Sequence, residues 1–180
     1  MALCMLIGVW LCQMFIFWRE GVSMPTLIVM RHGKAVSKDV AGSDEDRWLT
    51  EEGKKDVRLA AQCIPFRPAK VLSSPLRRAR ETATIVVEVL GLESYEVVEE
   101  LKPGRFTLDA LARLSPGDKT VVIAHAPDVN HVIAALIGGG SLEIPAGGFA
   151  LVEYEKLEPG KGILKALIAP KLVGKIVEKR

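Results

Sequence analysis

Two short apolar runs, with a further short strand at 70–73 (KVLS), constrain the fold of this chain more than any other feature. Residues 26–30 (TLIVM) and 120–124 (TVVIA) are too short for helices and too continuous for strands with one wet face. They carry the pattern of strands covered on both sides. Helix signals separate them. Thr50 can cap a helix with Glu51 and Glu52 at its positive end, and Val57, Ala60, Ala61 and Ile64 follow at helical spacing until Pro65 and Pro68. Ser74-Pro75 reads as an N-cap followed by proline at the first helical position. Leu76, Ala79, Ala83, Val86 or Val87, and Leu90 then form one apolar face, and Gly91 ends it. Residues 34–47 read as a loop, 96–100 (EVVEE) as a third strand, 106–114 and 129–137 as helices, and 149–154 and 163–169 as late strands forming a hairpin or an edge. Strands and helices in this alternation predict an α/β fold: a three-layer α/β/α sandwich with a mostly parallel central sheet.

A chain of 180 residues, 49% of them hydrophobic, suits one domain with a sizeable core. Its 24 basic and 22 acidic residues leave a net charge of +2, which excludes a nucleic-acid-binding tail or an acidic solvating tail. Trp10, Trp18 and Trp48 do not make a stacking platform for single-stranded nucleic acid. The cysteines, Cys4, Cys12 and Cys63, are odd in number and imply a reducing compartment, so the expected location is cytoplasmic. Residues 1–18 carry no charge and one strongly polar side chain, Gln13. As a helix they would span about 27 Å, marginal for a bilayer core of about 30 Å. The stretch lacks the positive start and clean cleavage site of a signal peptide. Three readings stay open for residues 1–23: a membrane anchor, a hydrophobic helix packed on the domain or a partner, or a mis-assigned start with Met24 as the true first residue. As an anchor it would place the domain in the cytoplasm, since the nearby basic residues all follow it. In every case the folded domain is expected to occupy residues 24–180.

Ligands of open α/β sheets bind at the carboxyl ends of the strands. Here those ends deliver Arg31 and His32, then Ser73-Ser74 with Arg77, Arg78 and Arg80 just beyond, and finally His125. Two of only three histidines fall at such ends; the third, His131, reads as structural. Imidazoles and guanidiniums converging on one point suit a phosphoryl group, with arginine donating to its oxygens and an imidazole able to act as nucleophile. Several rival motifs are missing. Gly138-Gly139-Gly140 follows a helix and lacks a P-loop's lysine, no Gly-x-Ser-x-Gly elbow surrounds Ser73 or Ser74, and no Cys/His spacing suggests zinc.

The segments LIVMRHGKA (27–35), DRWLTEEG (46–53), SSPLRRARETA (73–83) and VVIAHAP (121–127) together resemble the histidine phosphatase, or phosphoglycerate-mutase-like, superfamily and its short SixA-type branch of phosphohistidine phosphatases. The resemblance runs from about residue 24 onward. It implies a phosphoglycerate-mutase-like fold and no metal or other cofactor. It further implies His32 as the nucleophile that becomes phosphohistidine, Arg31 and Arg78 as binders of the phosphoryl oxygens, and His125 as a second pocket histidine donating a hydrogen bond. Arg78 is preferred to Arg77 and Arg80 because it directly precedes the Ala-x-x-Thr-Ala stretch.

The chain also departs from the family pattern. Ala124 stands where many members have glycine, and Ala126-Pro127 follows the second histidine, with Asp128 displaced. The segment between the second and fourth strands is too short for the acidic lid of larger members. Glu99 and Glu100 are the nearby candidates for a general acid, with Glu100 preferred. An alkoxide leaving group needs a proton, whereas imidazole can leave neutral when its other nitrogen is already protonated. A pocket without a clear acid therefore favours protein phosphohistidine over alkyl phosphates. The expected partner is a phosphotransfer or signalling protein, and the expected site is shallow. Lys34, next to the nucleophile motif, is a candidate for steering anions, while Arg77 can simply pair with Glu81. The alternatives are a small-metabolite phosphomonoesterase and a non-catalytic phosphate-binding domain.

Overall fold

In the computed structural model, which describes residues 24–177, the apolar runs become neighbouring strands of one sheet. The strands are β1 (Thr26–Arg31), β2 (Lys70–Ser73), β3 (Glu96–Val97), β4 (Thr120–Ala124), β5 (Phe149–Tyr154) and β6 (Gly162–Ile168). Their order is β3-β2-β4-β1-β5-β6. The first four in that order run parallel, β5 is antiparallel to β1, and β6 closes the edge as a hairpin with β5. The helices are α1 (Lys38–Ala41), α2 (Glu51–Ala61), α3 (Arg77–Leu90), α4 (Leu108–Leu114), α5 (Asp128–Leu136) and α6 (Pro170–Val177).

Side chains alternate across a strand, so β1 feeds two cores at once. Leu27 and Val29 pack with Val122 and Ala124 of β4 beneath α4 and α5, where Leu111, Val129, Ile133 and Leu136 are buried. Ile28 and Met30 pack with Val121 and Ile123 on the other face, against Val57, Ala60 and Ala61 of α2 and Ala79, Ala83 and Val86 of α3. Each large apolar side chain so buried contributes roughly 1.5–3 kcal/mol. This is the three-layer, mostly parallel α/β arrangement that the strand pattern predicts.

Four local details differ from expectation. The third strand keeps only Glu96–Val97. Beyond it Val98 still donates to the Ser73 carbonyl, and the chain then turns through a 3-10 helix, Glu99–Leu101, that buries Leu101. The helix after β2 starts at Arg77, with Leu76 and not Ser74 at the N-cap position. The 34–47 loop contains the short α1. A final helix, α6, is not legible in the sequence because Pro170 and Gly174 punctuate it; Gly174 lies against Leu59 of α2. Thr50 caps α2 as expected by accepting from the Gly53 amide, and Gly91 closes α3 at a φ of 62°.

Cys63 is free and half-buried. Cys4, Cys12 and the three readings of residues 1–23, including membrane contact, lie outside the described residues. Among the described residues no helix is long and apolar enough to cross a membrane.

Candidate active site

Parallel pairing sets Arg31 opposite Ala124 and Ser73 opposite Ile123, so β1, β4 and β2 end level with one another. The ladder continues one step past the strands. The His32 amide donates to the Ala124 carbonyl at 3.1 Å, and the Ser74 amide donates to the Ile123 carbonyl at 3.0 Å. His32, Ser74 and His125 therefore emerge side by side at the end of the sheet where α/β folds bind ligands. Arg78 arrives from the first turn of α3.

The structure brings four of the expected residues together. The rings of His32 and His125 lie 4.9 Å apart, centre to centre. Arg78 donates from Nε to Nε2 of His32 at 3.2 Å. His32 donates from Nδ1 to the Gly33 carbonyl at 2.8 Å, which fixes its tautomer and leaves the Nε2 lone pair as the nucleophilic position. Arg31 donates from Nη1 to the Ile144 carbonyl at 3.1 Å, while its Nε is buried without a partner. His125 is 2% exposed, meets the Ser74 hydroxyl through Nε2 at 2.8 Å, and also has a buried nitrogen, Nδ1, without a partner. Among the described residues these are the only two buried side-chain nitrogens or oxygens left unpaired. Orphaned buried polar atoms are rare and call for an explanation. Two flanking a candidate nucleophile match the donors that phosphoryl oxygens require.

Sequence reasoning missed three contributors. Asp44, in the loop that reads only as polar, accepts from Arg78 Nη2 at 3.0 Å, and its carbonyl accepts from Nη1 at 2.6 Å. Arg47 donates to the same carboxylate at 3.0 Å. Thr82 accepts from the Gly33 amide at 3.1 Å and donates to the Arg78 carbonyl at 2.7 Å, linking the loop after β1 to α3. Thr82 belongs to the 73–83 motif segment and Arg47 to the 46–53 segment, though neither segment marks them as site residues, and Asp44 lies in no motif segment.

Other candidates stand apart. Lys34 turns away to pair with Glu52, which also binds Lys171, so its charge is neutralised against α2. Glu100 is exposed on the 3-10 turn and makes no hydrogen bond to the four converging residues; Glu99 pairs with Lys102 at 2.8 Å. Arg77 pairs with Glu81 and lies over the Trp48 ring at 5.1 Å, the solvated-face role expected of it. His131 is exposed on α5. An open groove of about 370 Å³ is lined by Glu45, Asp46, Pro75, Leu76, Arg77, Arg80 and Lys102, which include the chain neighbours of Asp44, Ser74 and Arg78. Among the described residues no group of three or more His, Cys, Asp or Glu could hold a metal ion.

Burial sets the protonation of both imidazoles. It pushes His32 down to about 4 against the pull of the Gly33 hydrogen bond, and the charges of Arg78 and Arg31 push the same way. Burial likewise pushes His125 down to about 3, helped by His32 and Arg78. Both rings are neutral at neutral pH, so Nε2 of His32 carries an unprotonated lone pair, which accepts from Arg78 in this structure. In the unfolded chain both take up protons near their ordinary value of 6.5, but the folded protein refuses them until lower pH. Their contribution to stability is thus complete above about pH 6.5 and is lost as pH falls, through about 4 for His32 and about 3 for His125. Denaturant melts between pH 7 and 4 are expected to show a falling midpoint, and the His32 ring proton signals should titrate near pH 4. A His32 titration near 6.5 would overturn this assignment.

Comparison with known proteins agrees with the geometry. The model of the histidine phosphatase superfamily (branch 1) matches residues 27–107. An uncharacterized protein of Picosynechococcus sp. is 34% identical over 122 residues, 63% of this chain and 73% of that protein. A 2,3-bisphosphoglycerate-dependent phosphoglycerate mutase of Parvibaculum lavamentivorans is 37% identical over 82 residues, 42% of this chain and 39% of the mutase. Among solved structures, the protein histidine phosphatase SixA complexed with tungstate superposes with a TM-score of 0.73 at 28% identity, covering 82% of this chain and 99% of that one. The superfamily motifs, the parallel sheet and the paired histidines and arginines at its carboxyl edge agree: this chain belongs to branch 1 of the histidine phosphatase superfamily.

Proposed function

We propose that this phosphatase removes phosphate from phosphohistidine on a phosphotransfer or signalling protein, through a phosphohistidine formed on its own His32. The observation that carries the reading is the state of the carboxylates near the nucleophile. Asp44 is the one that reaches Arg78. The hydrogen bond from Arg47 and the charge of Arg78 hold its carboxyl below the usual carboxylate range, so at neutral pH it has no proton to give. Glu99 is engaged with Lys102, and Glu100 faces solvent. An alkoxide leaving group would depart without help, whereas a phosphohistidine ring protonated on its other nitrogen departs as neutral imidazole.

In this reading the Nε2 lone pair of His32 attacks phosphorus in line, and the bond from phosphorus to the substrate nitrogen breaks with its electrons going to the leaving ring. Arg31, Arg78 and Nδ1–H of His125 hold the three equatorial oxygens. The Gly33 carbonyl keeps the proton on Nδ1 of His32, so the phosphoenzyme ring is itself primed to leave neutral when water attacks. Similarity to SixA supports the same substrate class. The open groove, lined by chain neighbours of site residues, leaves room for a protein to approach.

The test gives the full-length chain, without added metal, a phosphohistidine-bearing phosphotransfer protein and, separately, a sugar phosphate. General acids contribute about 10²–10⁴-fold to such reactions. The phosphohistidine protein is therefore expected to lead in kcat/KM by about 10²-fold or more. Faster turnover of the sugar phosphate would move the substrate to small metabolites.

A further inference from the structure

Ser74 stands at a position that the sequence suggests for a helix cap, yet α3 begins at Arg77. Its hydroxyl lies 3.5 Å from the Leu76 amide, too far for more than a weak bond. The residue is fully buried, its amide is pinned to the Ile123 carbonyl, and its own carbonyl accepts from the Ser73 hydroxyl at 3.0 Å. With the backbone held at both ends, the hydroxyl has one strong partner, Nε2 of His125 at 2.8 Å.

A neutral imidazole carries its proton on one nitrogen only, and the other must accept. The weak approach of the Leu76 amide occupies an acceptor side of the Ser74 oxygen and leaves its O–H to donate. A donating Ser74 makes Nε2 of His125 the acceptor, which puts the ring proton on Nδ1. That is the buried nitrogen without a partner, on a ring 4.9 Å from the His32 ring. The opposite tautomer would present a lone pair to the phosphoryl oxygens and repel them.

We infer that Ser74 is a positioning residue, which holds His125 in the Nδ1–H tautomer so that this second imidazole donates to the transferring phosphoryl group. The inference rests on the phosphoryl pocket described above but not on which molecule brings the phosphate. The pair works in mirror image. The Gly33 carbonyl draws the His32 proton to Nδ1 and bares a nucleophile on Nε2, while the Ser74 hydroxyl caps Nε2 of His125 and bares a donor on Nδ1.

The experiment uses the full-length chain with its histidine rings labelled with ¹⁵N, at pH 7. The ring nitrogen shifts of His125 report which nitrogen is protonated, and orthovanadate titration reports binding of a five-coordinate phosphoryl mimic. Wild type is expected to show His125 protonated on Nδ1. In Ser74→Ala the proton should redistribute between the nitrogens, with orthovanadate bound about tenfold more weakly. In that variant kcat for an aryl phosphate should also fall about tenfold, with KM changed less than twofold. Ser74→Cys fills the same space with a poor donor and should behave like Ser74→Ala; it carries the test if the alanine variant does not fold. A proton on Nε2 in wild type, or a wild-type tautomer and kcat in a folded variant, would overturn the inference. A tautomer shift as expected, beside no turnover of phosphohistidine by wild type, would instead overturn the substrate reading alone.

Discussion

Full-length protein carrying His32→Ala is expected to lose turnover of every phosphoryl substrate by about 10³-fold or more, because both chemical steps pass through one atom. Nε2 of His32 accepts the phosphoryl group and later returns it to water. No neighbouring group can substitute: His125 spends Nε2 on Ser74, and Arg31 and Arg78 are cations without a lone pair. The loss should therefore fall on kcat. Arg31, Arg78 and His125 stay in place to hold phosphate, so affinity for orthophosphate should fall far less than turnover. The covalent step has its own readout. Wild type mixed with ³²P-labelled substrate and quenched in alkali should retain label on the chain, because an N-phosphohistidine survives base. His32→Ala should retain none. Labelling of the variant at wild-type levels, or a rate within tenfold of wild type, would mean that another residue attacks phosphorus.

Much of this site can be read from the chain because its parts are tied to strand ends. A buried strand announces itself by a short apolar run, and its last residue has a known destination at the carboxyl edge of the sheet. Arg31, His32 and His125 can be placed that way from their positions in the chain. Arg78 lies in the first turn of α3 beside Arg77 and Arg80, and the chain alone does not choose among the three; the family resemblance does. Asp44 and Arg47 are not legible as site residues. Their loop has no period, and the bonds that bring Asp44 to Arg78 span 34 residues of sequence. The third strand reads too long because Val97 and Val98 look like strand residues. The chain there gains more by burying Leu101, which is fully covered, than by extending an edge strand. Lys34 shows the converse limit. Its position beside His32 suggests a role with anions, but Glu52 lies one helical cap away and claims the charge.

Gly53→Ala should be among the most damaging single-methyl additions to the fold, although helix propensity alone argues the opposite. Gly53 lies in the first turn of α2, where replacing glycine by alanine ordinarily stabilises a helix by about 1 kcal/mol. Here the added Cβ would overlap the Lys34 carbonyl oxygen and approach the Lys34 amide nitrogen to 2.9 Å. These are backbone atoms and no rotamer change can clear them. The same carbonyl accepts from the Thr50 amide at 2.9 Å, so α2 cannot back away without losing its capping turn. Gly33 is pressed from the other side, since a Cβ there would come within 3.0 Å of the Gly53 carbonyl oxygen and 2.7 Å of Val57. The two glycines thus let the loop after β1 and the start of α2 touch backbone to backbone. Overpacking of this kind costs typically 1–3 kcal/mol, and the rigid partners here put the expected loss at about 3 kcal/mol. For a domain of this size that lowers Tm by roughly 6–12 °C. The strain falls on Lys34, two residues beyond His32, so the folded fraction should also turn over more slowly, with the His32 to Gly33 hydrogen bond disturbed. A thermal melt of Gly53→Ala beside wild type decides between the two forces. An unchanged or higher Tm would mean that helix propensity wins and that the contact yields; a fall of this size would mean that the backbone contact between the start of α2 and the nucleophile loop outweighs propensity.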